Sequence, residues 1–168
     1  MANIITLSRL LLIPFFLYFM FSSPPQNLLA TIVFVAAALT DTLDGYVARR
    51  LDQVTELGKK IDPLTDRIFI VTAVIALYLR DSQPPPLALA ILLVRELFLL
   101  YGYLYLKQQG KQLPVSFLGK TATTILMTAF AFMILGYGLG LVLFYIGLFL
   151  YIISALDYAR IALEITYR

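Results

Sequence analysis

The chain has 168 residues, room for one domain, of which 61% are hydrophobic and 14% charged, with a formal net charge of +3. Soluble domains run at about 45–50% apolar and about 25% charged, and disordered chains are poor in apolar residues, so neither class fits. A mean hydropathy of +0.87 and a pI near 9.2 fit the basic cytoplasmic loops of a membrane protein better than a nucleic-acid partner.

Six apolar stretches follow in chain order, each close to the roughly 20 residues that cross a bilayer. They cover about residues 4–21, interrupted by Arg9 and Pro14, then 28–50, 63–79, 87–106, 121–135 and 141–159. Turn-rich breaks at 22–27, 81–86 and 136–140 separate three pairs of them. The expected fold is an all-α integral membrane protein, a six-transmembrane-helix bundle forming one domain over residues 1–168. The start carries no basic leader and no Ala-x-Ala site, so the first stretch is expected to be retained. With both termini in the cytoplasm, twelve of the thirteen lysines and arginines fall on the inner side or in the helices leading from it; Arg80 alone falls outside. That asymmetry predicts a multi-pass protein of the cell (inner) membrane with cytoplasmic termini.

There is no Cys, His or Trp, which leaves catalysis to carboxylates, Lys, Arg, Tyr or a hard metal ion. Four of the ten acids stand where they are expensive. Asp41 and Asp44 interrupt the inner end of the second stretch, and Asp62 and Asp66 open the third. One lipid-facing charge costs at least about 2.5–3.5 kcal/mol. Spacings of three and four place each pair on one helix face, and the short connection makes the two helices antiparallel neighbours. The four aspartates are therefore expected to converge on a cavity at the cytoplasmic surface. Such a site suits Mg²⁺, Mn²⁺ or Ca²⁺ rather than zinc. Gly45 and Ala48, four residues after Asp41 and Asp44, leave room for a ligand, as does Gly58 four before Asp62. Arg49 can clamp a phosphate. The plain alternative for Asp62, next to Pro63, is a helix N-cap.

The pattern Asp41-x2-Asp44-Gly45-x2-Ala48-Arg49-x8-Gly58-x3-Asp62-x3-Asp66 resembles the signature of the CDP-alcohol phosphatidyltransferase family at all eight positions. Softer matches at Asn3, Thr6, Arg9, Arg95-Glu96, Leu118-Gly119-Lys120-Thr121 and Ser154-Ala155-Leu156-Asp157-Tyr158 resemble the bacterial phosphatidylglycerophosphate synthases within it. The resemblance implies transfer of a phosphatidyl group from CDP-diacylglycerol to sn-glycerol 3-phosphate, giving phosphatidylglycerophosphate and CMP, in a homodimer among membrane lipids. It implies that Asp41, Asp44, Asp62 and Asp66 hold two Mg²⁺ or Mn²⁺ ions and that Asp66 is also the general base. It places Gly45, Ala48, Arg49 and Gly58 on the nucleotide, beside Asp41 and Asp44.

The acceptor phosphate needs cations, and Arg95, Lys120 and Arg160 are the candidates; Arg95 instead paired with Glu96 or Asp157 is the plain alternative. Lys59, Lys60, Lys107 and Lys111 are expected to anchor to anionic lipid, Arg9 to snorkel, and Asp52 and Glu56 to be solvated loop charges. The tyrosines and phenylalanines are expected to be mostly lipid-facing or interfacial. Another acceptor within the family, as in a CMP-forming cardiolipin synthase or a phosphatidylinositol phosphate synthase, fits the same signature. A small cation transporter does not need Gly45, Ala48, Arg49 or Gly58, and an arginine would oppose cation entry.

Overall fold

A computed structural model of the protein describes residues 2–51, 58–108 and 117–167, and the side chains of 11–40, 68–102, 105, 106, 108, 117–158, 160 and 161. Among the described residues there are six helices and no strand: α1 (Ala2–Phe21), α2 (Asn27–Leu51), α3 (Gly58–Asp81), α4 (Pro86–Gln108), α5 (Phe117–Ile134) and α6 (Leu139–Tyr167). Each apolar stretch becomes one helix. Three boundaries differ from expectation by four residues or more: α6 continues eight residues past 159, α3 begins at Gly58 rather than at 63, and α5 begins at Phe117 rather than at 121. Asp62 therefore lies inside α3 and is not its N-cap. Pro63 is accommodated one turn into the helix, where its missing N–H forfeits a single intrahelical bond.

Local chemistry sets the helix ends. The Gln26 carbonyl accepts the first α2 bond from the Ala30 N–H at 2.9 Å. At the end of α3, Ser82 takes φ 55° and donates its N–H to the Tyr78 carbonyl at 2.8 Å. Pro86 occupies the first position of α4, where a donor is not needed. α5 closes on Gly136 at φ 84°. The Gly136 N–H reaches the Met133 carbonyl and the Tyr137 N–H the Phe132 carbonyl, both at 2.9 Å, the paired bonds of a Schellman motif. Within the helices, Thr31, Thr40, Thr72, Thr121, Thr123, Thr124 and Thr128 donate their hydroxyls to the carbonyl four residues back. A hydroxyl in an apolar surrounding is thereby satisfied without water.

The chain divides into two compact units, Met1–Gln83 with Ala131–Tyr137, and Pro84–Phe130 with Gly138–Arg168. The first is centred on three rings, one from each of its long helices. Phe16, Phe34 and Phe69 lie 5.6–6.1 Å apart by centroid, and Phe34 and Phe69 are stacked at 24°. Arg80 ties together the end of α1, the start of α2 and the end of α3. Its guanidinium donates to Asp81 Oδ2 at 2.6 Å, Asn27 Oδ1 at 3.0 Å, Met20 Sδ at 3.1 Å and the Ile134 carbonyl at 3.4 Å.

In the second unit, α5 and α6 pack antiparallel. Phe130 meets Phe144 with centroids 5.9 Å apart, and Gly147 lets α6 approach Leu126 and Ile125. α6 is apolar on both sides: Phe144, Leu148 and Tyr151 are buried, while Val142, Tyr145, Ile146, Phe149, Ile152 and Leu156 are exposed. Apolar surface on this scale belongs in lipid rather than in water. By length and composition, Phe117–Ile134 and Leu139–Tyr158 can cross a membrane among the described residues.

Candidate active site

The ring triad fixes the register of α1, α2 and α3. Phe34 stacks on Phe69, and Asn27 accepts a bond from Arg80, so a step toward the inner end of α2 is matched by a step toward the start of α3. Seven residues, two helical turns, return a helix to nearly the same face. Position 41 is seven residues beyond Phe34, and position 62 is seven before Phe69. Positions 44 and 66 stand in the same relation to Ala37 and Ala73, both fully buried. The backbone thus sets positions 41 and 62 at one level of two antiparallel helices, with 44 about one turn further from the rings and 66 about one turn nearer to them, on the stripes that pack the core. Arg9, expected to snorkel, stands seven residues before Phe16 and falls at this level as well. The signal for that placement was available in the seven-residue spacing but needed the ring contacts to be read.

The side chains of Asp41, Asp44, Gly45, Ala48, Arg49, Gly58, Asp62 and Asp66 lie outside the described residues, as do those of Arg9, Lys59, Lys60 and Lys107; Asp52, Glu56 and Lys111 lie outside them altogether. Four aspartate positions, three to ten residues along their helices from the aromatic core, are a donor set that would suit a hard divalent cation. Among the described side chains no group of three or more acids is placed to hold a metal ion.

The three candidate phosphate-binding cations lie in the second unit. Lys120 on α5 and Arg160 on α6 are exposed. Arg95 is buried near the middle of α4 in a polar cluster with α6. Its Nη1 donates to Glu96 Oε1 at 3.3 Å, and its Nη2 to Ser154 Oγ at 2.9 Å. Its guanidinium carbon lies 3.4 Å from the centroid of the Tyr151 ring. The Tyr151 hydroxyl donates to Glu96 Oε1, and Ser154 Oγ donates to the Tyr151 carbonyl at 3.0 Å.

The expected Arg95–Glu96 pairing is therefore present. Neither Tyr151 nor Ser154 was expected beside Arg95, although Ser154 opens one of the softer matches, and buried Tyr151 departs from the general reading of the tyrosines as mostly lipid-facing or interfacial. Their sequence distance from Arg95 hides them; only their spacing on α6, three residues apart, hints at a shared face. A second unassigned tyrosine, Tyr158, packs across Gly119, where an added Cβ would lie 3.3 Å from the ring. Two of the softer sequence matches, around Gly119 and around Tyr158, are thus in contact.

A helical, lipid-suited chain with four aspartates grouped on two antiparallel helices narrows the class of protein. The chain belongs to the CDP-alcohol phosphatidyltransferase family, whose model matches residues 1–153. Among its relatives, a CDP-diacylglycerol–glycerol-3-phosphate 3-phosphatidyltransferase of Rickettsia bellii is 34% identical over 171 residues, covering 95% of this chain and 93% of the relative. One of the same description from Bacillus subtilis is 35% identical over 136 residues, 73% of this chain and 70% of the relative. A CMP-forming cardiolipin synthase of Streptomyces coelicolor is 38% identical over 143 residues, covering 82% of this chain and 66% of that protein. The chain is accordingly a membrane enzyme of this family.

Proposed function

We propose that the protein transfers the phosphatidyl group of CDP-diacylglycerol to sn-glycerol 3-phosphate, releasing CMP. The observation that carries this reading is the grouping of Asp41, Asp44, Asp62 and Asp66 on neighbouring stretches of α2 and α3, with positions 41 and 62 at one level. Relatives described as glycerol-3-phosphate enzymes along most of the chain supply the acceptor. The donor's acyl chains lie in the bilayer, and its nucleotide rests against Gly45, Ala48, Arg49 and Gly58. The acceptor's phosphate is held by Arg95, Lys120 and Arg160. The acceptor hydroxyl oxygen attacks the phosphorus next to diacylglycerol, Asp66 takes its proton, and the bond to CMP breaks. Two Mg²⁺ or Mn²⁺ ions held by the four aspartates would neutralise the pyrophosphate and the departing CMP. Six spans, a cavity on the cytoplasmic side, termini in the cytoplasm and a homodimer complete the proposal. Removal of divalent ions with EDTA is expected to abolish CMP release and Mg²⁺ or Mn²⁺ to restore it; full turnover in excess chelator would contradict the metal assignment.

A second reading, phosphatidylglycerol as acceptor, is favoured by the cardiolipin synthase relative. It predicts an apolar entrance for a second lipid and CMP release with phosphatidylglycerol.

A further inference from the structure

The second unit packs in two different ways. α5 and α6 meet through apolar contacts, Phe130 on Phe144 and Leu126 on Gly147. α4 and α6 meet through a charge pair, a serine and a tyrosine hydroxyl, with Arg95 8% and Glu96 6% exposed. Packing alone does not call for the second arrangement. A buried ion pair recovers little more than its own desolvation, and apolar residues of the same volume serve as well or better. What the cluster does provide is a fixed guanidinium. The Tyr151 ring at 3.4 Å sets its plane, Ser154 Oγ holds one terminal nitrogen, and Glu96 Oε1 holds the other and offsets the charge. The Tyr151 hydroxyl in turn holds Glu96. A planar fork locked by its neighbours is how an arginine is prepared for a phosphate.

We propose that Glu96, Tyr151 and Ser154 are positioning residues that hold Arg95 for the acceptor's phosphate. The proposal rests on the reading of Arg95 as an acceptor-binding cation. It is tested on the purified full-length protein in mixed micelles, with both substrates varied and CMP measured, alongside thermal unfolding of each variant. Glu96→Gln and Tyr151→Leu are expected to raise the acceptor KM about tenfold, the scale of one charge-assisted hydrogen bond, with the donor KM within about twofold. Tyr151→Phe keeps the ring and loses only the hydroxyl, so its effect is smaller than that of Tyr151→Leu and it serves if the larger change prevents folding. Because Glu96 acts through Arg95, Glu96→Gln adds little to acceptor KM in an Arg95→Lys background. An unchanged acceptor KM, or equal rises in both KM values together with a lower melting temperature, overturns the proposal and leaves a packing clasp. Wild-type CMP release with phosphatidylglycerol alone defeats the acceptor reading; an acceptor-selective KM change with that lipid then preserves the positioning role. No CMP from either acceptor overturns both.

Discussion

In the proposed reaction, Asp66 and the three cations separate the chemistry from the binding. A general base contributes about 10²–10⁴-fold, so Asp66→Asn is expected to lower kcat by that order while the donor KM moves little. Asp41→Asn and Asp44→Asn weaken metal and donor together. Comparable kcat values for Asp66→Asn and the wild-type protein would remove the base from this position. Arg95→Ala, Lys120→Ala and Arg160→Ala are each expected to raise the glycerol 3-phosphate KM about tenfold or more, measured against an unchanged donor KM; three unchanged acceptor KM values would remove the assignment. The grouping of the aspartates on two antiparallel helices was legible in the sequence, because charges three and four apart in an apolar helix have no inexpensive alternative. Two of the partners of Arg95 were not, because Ser154 lies 59 residues away and Tyr151 resembles any other membrane tyrosine.

Helix identity was legible throughout, because each apolar run was bounded by residues with a turn preference. Helix ends were less so. Lys59 and Lys60 lie in the first turn of α3 despite their charge, and Pro63 did not set its start, since one lost bond near an N-terminus is tolerated. Close approaches were invisible, because a glycine in an apolar run announces nothing about its neighbour. Gly147 and Gly102 show the difference. A Cβ at 147 would stand 2.9 Å from Leu126 Cγ, whereas at 102 it meets nothing within 4 Å. Overpacking costs about 1–3 kcal/mol, against roughly 1 kcal/mol of gained helix propensity. Gly147→Ala is therefore expected to lower the melting temperature in detergent and Gly102→Ala to leave it level or higher. The opposite order would show that α5 and α6 do not approach at this point.

The twelve-to-one distribution of basic residues and the apolar outward faces of the helices describe a chain that lives in a bilayer. Reporter fusions at either terminus are expected to give cytoplasmic signals, as the positive-inside rule requires; an external carboxy-terminus would contradict the six-span topology. In the proposed topology a small phosphate dianion would reach the aspartates from the cytoplasm, whereas a second lipid would enter from the membrane. Acceptor choice is the part least visible in the signature, which describes the donor and its metals. The most direct measurement is CMP release by the purified protein supplied with CDP-diacylglycerol, Mg²⁺ and either sn-glycerol 3-phosphate or phosphatidylglycerol. Phosphatidyl transfer to the soluble acceptor predicts CMP and phosphatidylglycerophosphate in equal amounts with glycerol 3-phosphate and little with phosphatidylglycerol; CMP formed with phosphatidylglycerol and not with glycerol 3-phosphate would contradict it.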